Sequence, residues 1–421
     1  GGYAEEFGIT MSNNFYEDVW TSVYRSTYEY SRIINFQSAD YDNHKAIAKI
    51  MKSFYFQYLV DIYGDVPYSE AGKGYIDGVL KPKYDAQQDI YMDMLKELEE
   101  GVSQLGSTSS LGNSDLLFQG DLGKWKKFGN SLMLRLALRL SKADPSTSQA
   151  WATKAIAGGV MTSNADIAYI QHLLGPDGWN KNGNGEVFMA DGNTRLSKTF
   201  VDFLKDDPRL PILGARRSDG STNPADLMGM PNGLTSGALE AKYGTTSSDY
   251  AEPNRGVITG EDAPMVFQTY AEVEFMIAEA ITKGWASGDA KAHYEAGVKA
   301  AMQMLSMLYP NASAVSDAEV ATYLAAKPFD ASKALQMIGE QYWAATFFNE
   351  YEAFANWRRT GFPVLQPFGG EAIYDGNVTN GTIPRRLIYP GGEASTNADN
   401  FAAAIARQGA NEFTTRVWWD K

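Results

Sequence analysis

The stretch 175–193, GPDGWNKNGNGEVFMADGN, sets one large ring, Trp179, among Gly178, Asn180, Asn182 and Asn184, with Asp177 two positions before it. Nothing at helical or strand spacing gives Trp179 a core role. A flat ring beside amide and carboxylate groups suits a sugar: its apolar face covers the ring while its hydroxyls find hydrogen-bond partners. Trp179 is therefore read as a ligand platform, or else as the anchor of its own loop. Tyr75 and Tyr84, and Tyr243 and Tyr250 further on, are secondary platforms, with ordinary packing as the favoured alternative for each. The same loop imitates a calcium loop, in which Asn180, Asn182 and Asn184 alternate before Gly185 while Glu186 and Asp191 bring the charge. Such a loop wants Asp at its first position and prefers Glu at its twelfth, so a flexible turn is the better reading.

Catalysis has few parts to work with. The chain holds only three histidines, His44, His172 and His293, and no cysteine. Thiol chemistry, cysteine-bound zinc and disulfides are excluded, and no nucleophile elbow, HExxH or phosphate-binding glycine loop is present. A hydrolase would need paired carboxylates, drawn from Asp177, Glu186 and Asp191 or from Glu272 and Glu274. The second pair lies two residues apart on a helix and points to different faces. No catalytic residue and no cofactor is expected. Arg135 and Arg139, one helical turn apart, are read as structural cations answering buried carboxylates or carbonyls.

With 421 residues, of which 44% are hydrophobic, the chain can build a large core or one helical array with an insertion. A net charge of −14 argues against a nucleic-acid surface and against a polybasic hold on anionic lipid. No run approaches the roughly 18 apolar residues that would span a bilayer. Aromatics reach 13%, and the 40 glycines cluster with Asn and Ser in long loops, which fits aromatic-bearing loops carried on helices.

Apolar spacing predicts helices from residue 13 or 14, after Asp42, near Asp85, near Asp121 and over 148–157. From 158 to 264 the composition turns to Gly, Asn, Asp, Pro and Ser, with one clear helix at 197–205. Helices resume at Met265 as pairs joined by short turns, the pattern of tetratricopeptide-like hairpins, although no clean 34-residue repeat is present. The stretch 337–365 reads as one central buried helix: Ile338, Tyr342 and Ala345 form one stripe, and Trp343, Phe347, Tyr351 and Phe354 a second. Arg358 and Arg359 suit its last turn, Gly361 its cap and Pro363 its end. A short helix is expected at 399–408, and one of Trp418 and Trp419 should pack down. The chain thus divides into N-terminal hairpins (1–157), a loop-rich insertion carrying the ligand face (158–264), C-terminal hairpins (265–365) and a segment packed on the scaffold (366–421).

Five segments in order resemble the SusD/RagB family, particularly its second SusD-like type. They are DIYGDVPYSEA (61–71), DPRL (207–210), EVEFMIAEA (272–280), YEAFANWRRTGFPVL (351–365) and IPRRLIYP (383–390), the last followed by Glu393, Asn397 and Asn400. The resemblance covers nearly the whole chain. It implies a mainly α fold, a right-handed array of tetratricopeptide-like hairpins bearing a loop-rich ligand region. It also implies a non-catalytic lipoprotein, anchored through an acylated N-terminal cysteine on the outer face of the outer membrane. Such a protein captures oligosaccharides, in some members peptides, and passes them to a SusC-like TonB-dependent transporter. The motifs themselves are expected to maintain the scaffold. A peptide-binding helical repeat and an all-helical glycoside hydrolase are the competing readings.

Overall fold

The computed structural model describes residues 15–107, 111–176, 180–190, 192–234, 236–347, 349–365, 379 and 381–421. Five helices come first: α1 (Phe15–Ile34), α2 (Asp42–Tyr63), the short α3 (Gly74–Asp77), α4 (Gln87–Gln104) and α5 (Leu122–Arg139). Next are α6 (Pro145–Gly158), α7 (Gly183–Ala190), α8 (Lys198–Phe203), α9 (Leu210–Leu213) and α10 (Ser236–Tyr243). The C-terminal part holds α11 (Tyr270–Thr282), α12 (Ala290–Leu308), α13 (Asp317–Ala326), α14 (Ala334–Ala345), α15 (Glu350–Thr360), α16 (Glu393–Thr396) and α17 (Ala398–Gln408).

The starts follow from local chemistry. The Asp121 carboxylate accepts from Lys124 N–H at the head of α5, and Asp144 does the same for Thr147 before Pro145 at the head of α6. Thr269 and Glu272 form a reciprocal capping box for α11, as Ser316 and Glu319 do for α13. Consecutive helices pack as hairpins: α1 on α2, α5 on α6, α11 on α12 and α14 on α15. The hairpins are then joined through contacts of α2 with α4, α5 and α15, and of α11 with α5 and α14. One continuous apolar core runs from Trp20 to Trp419. Among the described residues no helix is long and apolar enough to cross a membrane.

The expected single helix over 337–365 is in fact two. The Thr346 hydroxyl donates back to the Tyr342 carbonyl at 2.9 Å, and Asn349 caps α15 by accepting from Glu352 N–H at 3.3 Å. The apolar stripe conceals this break because both halves are buried, α14 on α11 and α15 on α2. Gly361 does close α15 in the left-handed region at φ 84°. The insertion is also more ordered than its composition suggests. α7, α9 and α10 join the expected α8, and strands 168–171 and 264–268, 214–216 and 251–253 pair as antiparallel ribbons. Phe200 of α8 stacks on Phe347 with centroids 4.5 Å apart and so fastens the insertion to the α14–α15 break.

A seam of buried charge crosses the core where α2, α5, α11, α14 and α15 meet. Arg135 donates to Glu272 at 2.7 Å and to the Phe267 carbonyl at 3.1 Å. Arg139 donates to Glu352 at 2.6 Å and lies 3.3 Å from Asp61. The Tyr342 hydroxyl bridges Glu272 and Glu352 at 3.0 and 2.9 Å. Arg359 grips both oxygens of Glu279, and Arg358 donates to the Asp61 and Arg385 carbonyls. Arg385 pairs with Asp420, while Trp419 is fully buried beneath Arg139 and Arg358. Asp207 and Arg209 form their own buried pair. All five sequence motifs therefore contribute to buried polar contacts of the scaffold.

Candidate functional site: a tyrosine-lined cleft

A cleft of about 570 Å³ opens beside the insertion. The first turns of α1 supply Asp18 and Ser22, and α2 supplies Tyr55 and Tyr58, three residues apart on one face. The 168–171 and 264–268 ribbon contributes His172, Met265 and Val266, the residues around the start of α7 contribute Asn182 and Asn184, and the α14–α15 break contributes Asn349, Glu350 and Tyr351. Tyr309, after α12, closes the wall.

The aromatic rings brace one another. Tyr30 stacks behind Tyr55 with centroids 5.7 Å apart, and Tyr58 meets Tyr351 edge-on at 5.3 Å. Tyr351 is 42% exposed and presents itself to the opening. Burial is the main reason that the Tyr58 phenol is held far above its ordinary pKa. Desolvation, then Glu350 and Asp18, also raise Tyr351. Both remain neutral hydroxyls, able to donate and accept. Asn349 is 8% exposed, and its Nδ2 has no hydrogen-bond partner among the described residues. A smaller chamber of about 40 Å³ adjoins the cleft, sharing Val266, Tyr309 and Asn349 as lining.

The rim is fixed by Asn182. Its side-chain amide donates to the Ala263 and Pro264 carbonyls, and its oxygen accepts from Gly185 N–H at 3.1 Å. Gly185 lies so close to the chain at 260 that an added Cβ would sit 2.4 Å from the Gly260 carbonyl oxygen. The Asn-Gly alternation therefore serves close backbone packing and the start of α7. Among the described residues no group of three or more acidic or histidine side chains is arranged to hold a metal.

The expected platforms scatter. Asp177, Gly178, Trp179 and Asp191 lie outside the described residues. Asn180 is exposed, its carbonyl 2.9 Å from His172 Nδ1 at the rim; Asn184 lines the cleft, and Glu186 is exposed on α7. Tyr75 falls in α3, and its side chain is likewise outside the described set. Tyr84 is not a platform but a core residue: it is 5% exposed, donates to Glu393 at 2.5 Å and packs on Trp20 and Tyr389, so no face is free for a ligand. Tyr250 is buried with its hydroxyl 2.6 Å from that of Thr245. Tyr243 is 46% exposed at the end of α10, away from the cleft lining, with the Lys242 ammonium 5.6 Å from its ring centroid. The carboxylates weighed for hydrolysis also separate, Glu272 into the charged seam and Glu274 to His293 at 2.6 Å.

Tyr55, Tyr58, Tyr309, Asn349 and Glu350 carry no signal of a site in the sequence, and Tyr351 reads there only as part of a helix stripe. A stripe facing a cleft has the same spacing as one facing a core. A second cleft, of about 510 Å³, lies across the break, sharing Glu350 with the first and lined by Leu196, Phe200, Trp343, Phe347, Phe354 and Trp357 among others.

A family model described as starch-binding and associating with the outer membrane, SusD-like in type, matches residues 2–390. Among solved structures, a chitin-binding protein is 33% identical with a TM-score of 0.87, the match covering 99% of this chain and 90% of that one. A Bacteroidetes SusD-like protein is 28% identical with a TM-score of 0.84, covering 100% and 95%. A chitin-binding SusD homologue from Flavobacterium johnsoniae shares the fold at 24% identity and a TM-score of 0.77, covering 96% and 86%. No curated protein matches the chain significantly.

Proposed function

The chain belongs to the SusD-like family of proteins associated with the outer membrane, and we propose that it is a non-catalytic receptor for a polysaccharide at the cell surface. The observation that carries this reading is the cleft of about 570 Å³ walled by Tyr55, Tyr58, Tyr309 and Tyr351 and edged by Ser22, Asn184 and Asn349. Stacked or edge-on rings take the apolar face of a pyranose, and neutral hydroxyls and amides take its polar rim. Trp179, on the neighbouring insertion, is a further platform in this reading. The chitin-binding relative at 33% identity supports an N-acetylglucosamine chain as the ligand. Capture is an equilibrium without bond cleavage, followed by transfer to a SusC-like TonB-dependent transporter from a lipid-anchored position.

Native affinity electrophoresis in soluble glycol chitin, starch and an unrelated neutral glucan tests this directly. Retardation by glycol chitin that is lost in a Tyr58→Ala/Tyr351→Ala variant of unchanged fold supports both function and site. Retardation lost only in Trp179→Ala moves the site onto the insertion. A protein retarded by no glycan, or one releasing reducing ends from the polymer, would sink the proposal. Copurification of a TonB-dependent transporter from detergent-solubilised outer membranes tests the partner.

A further inference from the structure

The cleft is lined by two carboxyl groups with no cation among its lining residues, and burial holds the Glu350 carboxyl above its ordinary range. Asp18 and Glu350 line it, neither is ion-paired among the described residues, and no Lys or Arg is among its lining residues. The two carboxyl groups come from separate elements, the first turn of α1 and the first residue of α15, and share the cleft lining with Tyr351. The tyrosine rings add a second attraction of the same sign, since ring faces favour cations. The buried Asn349 amide, with its unpartnered Nδ2, supplies a polar contact suited to a neutral hydroxyl or carbonyl. The whole chain, at −14, repels polyanions before they arrive.

We infer that the cleft selects its sugars by charge, preferring chains that carry free, protonated amines, such as de-N-acetylated amino-sugar polymers, over neutral ones, and rejecting uronates. This rests on the reading of the cleft as the sugar site and names the class of sugar it takes. An ammonium placed among Asp18, Glu350 and Tyr351 gains Coulombic and cation–π attraction, whereas an acetamide gains neither. A uronate carboxylate meets like charge, which excludes it by repulsion.

The test is calorimetric titration of the full chain with glucosamine, N-acetylglucosamine and galacturonic acid oligomers of equal length, at low and high salt, and with a lysine pentapeptide. The glucosamine oligomer should bind about tenfold tighter than the acetylated one at low salt, the order of one desolvated cation–π and carboxylate contact. Asp18→Asn/Glu350→Gln should remove that preference, since the charge term is lost. High salt should erode the preference in the parent in the same direction. Equal affinities, or a preference that survives the double substitution, overturn the inference and leave the glycan receptor standing. Binding of no oligomer overturns both. Lysine pentapeptide bound as tightly as the glucosamine oligomer reassigns the cleft to peptide amines and overturns the sugar selectivity.

Discussion

Tyr351 stands at the meeting of scaffold and site. Its edge contact with Tyr58 belongs to the α2–α15 packing, while 42% of its surface remains open to the cleft. Tyr351→Ala should therefore weaken glycan binding by about 0.5–1.5 kcal/mol, the range of a ring contact, with only a small change in melting temperature; parallel calorimetry and thermal melts read the two effects. Glu352 is the opposite case, enclosed by Arg135, Arg139 and Tyr342 with no surface to offer a ligand. Glu352→Gln leaves two buried guanidinium groups short of a counter-charge. The expected loss is about 3–5 kcal/mol in chemical denaturation, with binding by the remaining folded protein unchanged.

At the scale of elements, the cleft depends on two local devices, the Asn349 break and the seating of α7 at Gly185. Gly185→Ala drives a Cβ into the Gly260 carbonyl, so α7 must lift from the chain beneath it. A loss of about 1–3 kcal/mol is expected for such overpacking. Hydrogen exchange should localise it to residues 182–190, and glycan affinity should fall because the rim carrying Asn184 moves. Helices α2 and α5 were legible in the sequence because their apolar spacing is clear, with the acidic cap Asp121 added at the head of α5. α7 and α10 were not, because short helices in Gly- and Ser-rich stretches lack a full apolar stripe. The 346–349 break was hidden because the apolar pattern continues in register across it.

For the whole molecule, acid stability turns on the charged seam. Burial alone would raise Glu279, but Arg359 outweighs it and holds the carboxyl below its ordinary range; Arg139 and Arg135 do the same for buried Glu352. A carboxyl with a depressed folded pKa stabilises above its unfolded value and loses that contribution as pH falls through the folded one. Asp61 and Glu272 carry the opposite sign, raised chiefly by burial, and their protonation partly offsets the loss. Thermal melts should therefore fall as pH drops below about 4.3, the unperturbed Glu value, and the fall should be shallower in Glu279→Gln, which starts less stable at neutral pH. A steeper fall in that variant would contradict the assignment.

The sequence by itself determined the helical class, the pairing of helices into hairpins, the structural role of Arg135 and Arg139, and the burial of one C-terminal tryptophan. Those follow from local spacing, capping chemistry and the high cost of burying an unanswered charge, all of which are written along the chain. The tertiary structure decided which tyrosines are wall and which are core. Tyr84 and Tyr351 are alike as residues, yet Glu393, Trp20 and Tyr389 enclose the first while the α14–α15 break opens a space beside the second. It also brought Asp18 and Glu350, 332 positions apart in the numbering, into one cleft. A binding site is a convergence of distant segments, and convergence is set by how helices pack, which no local pattern records.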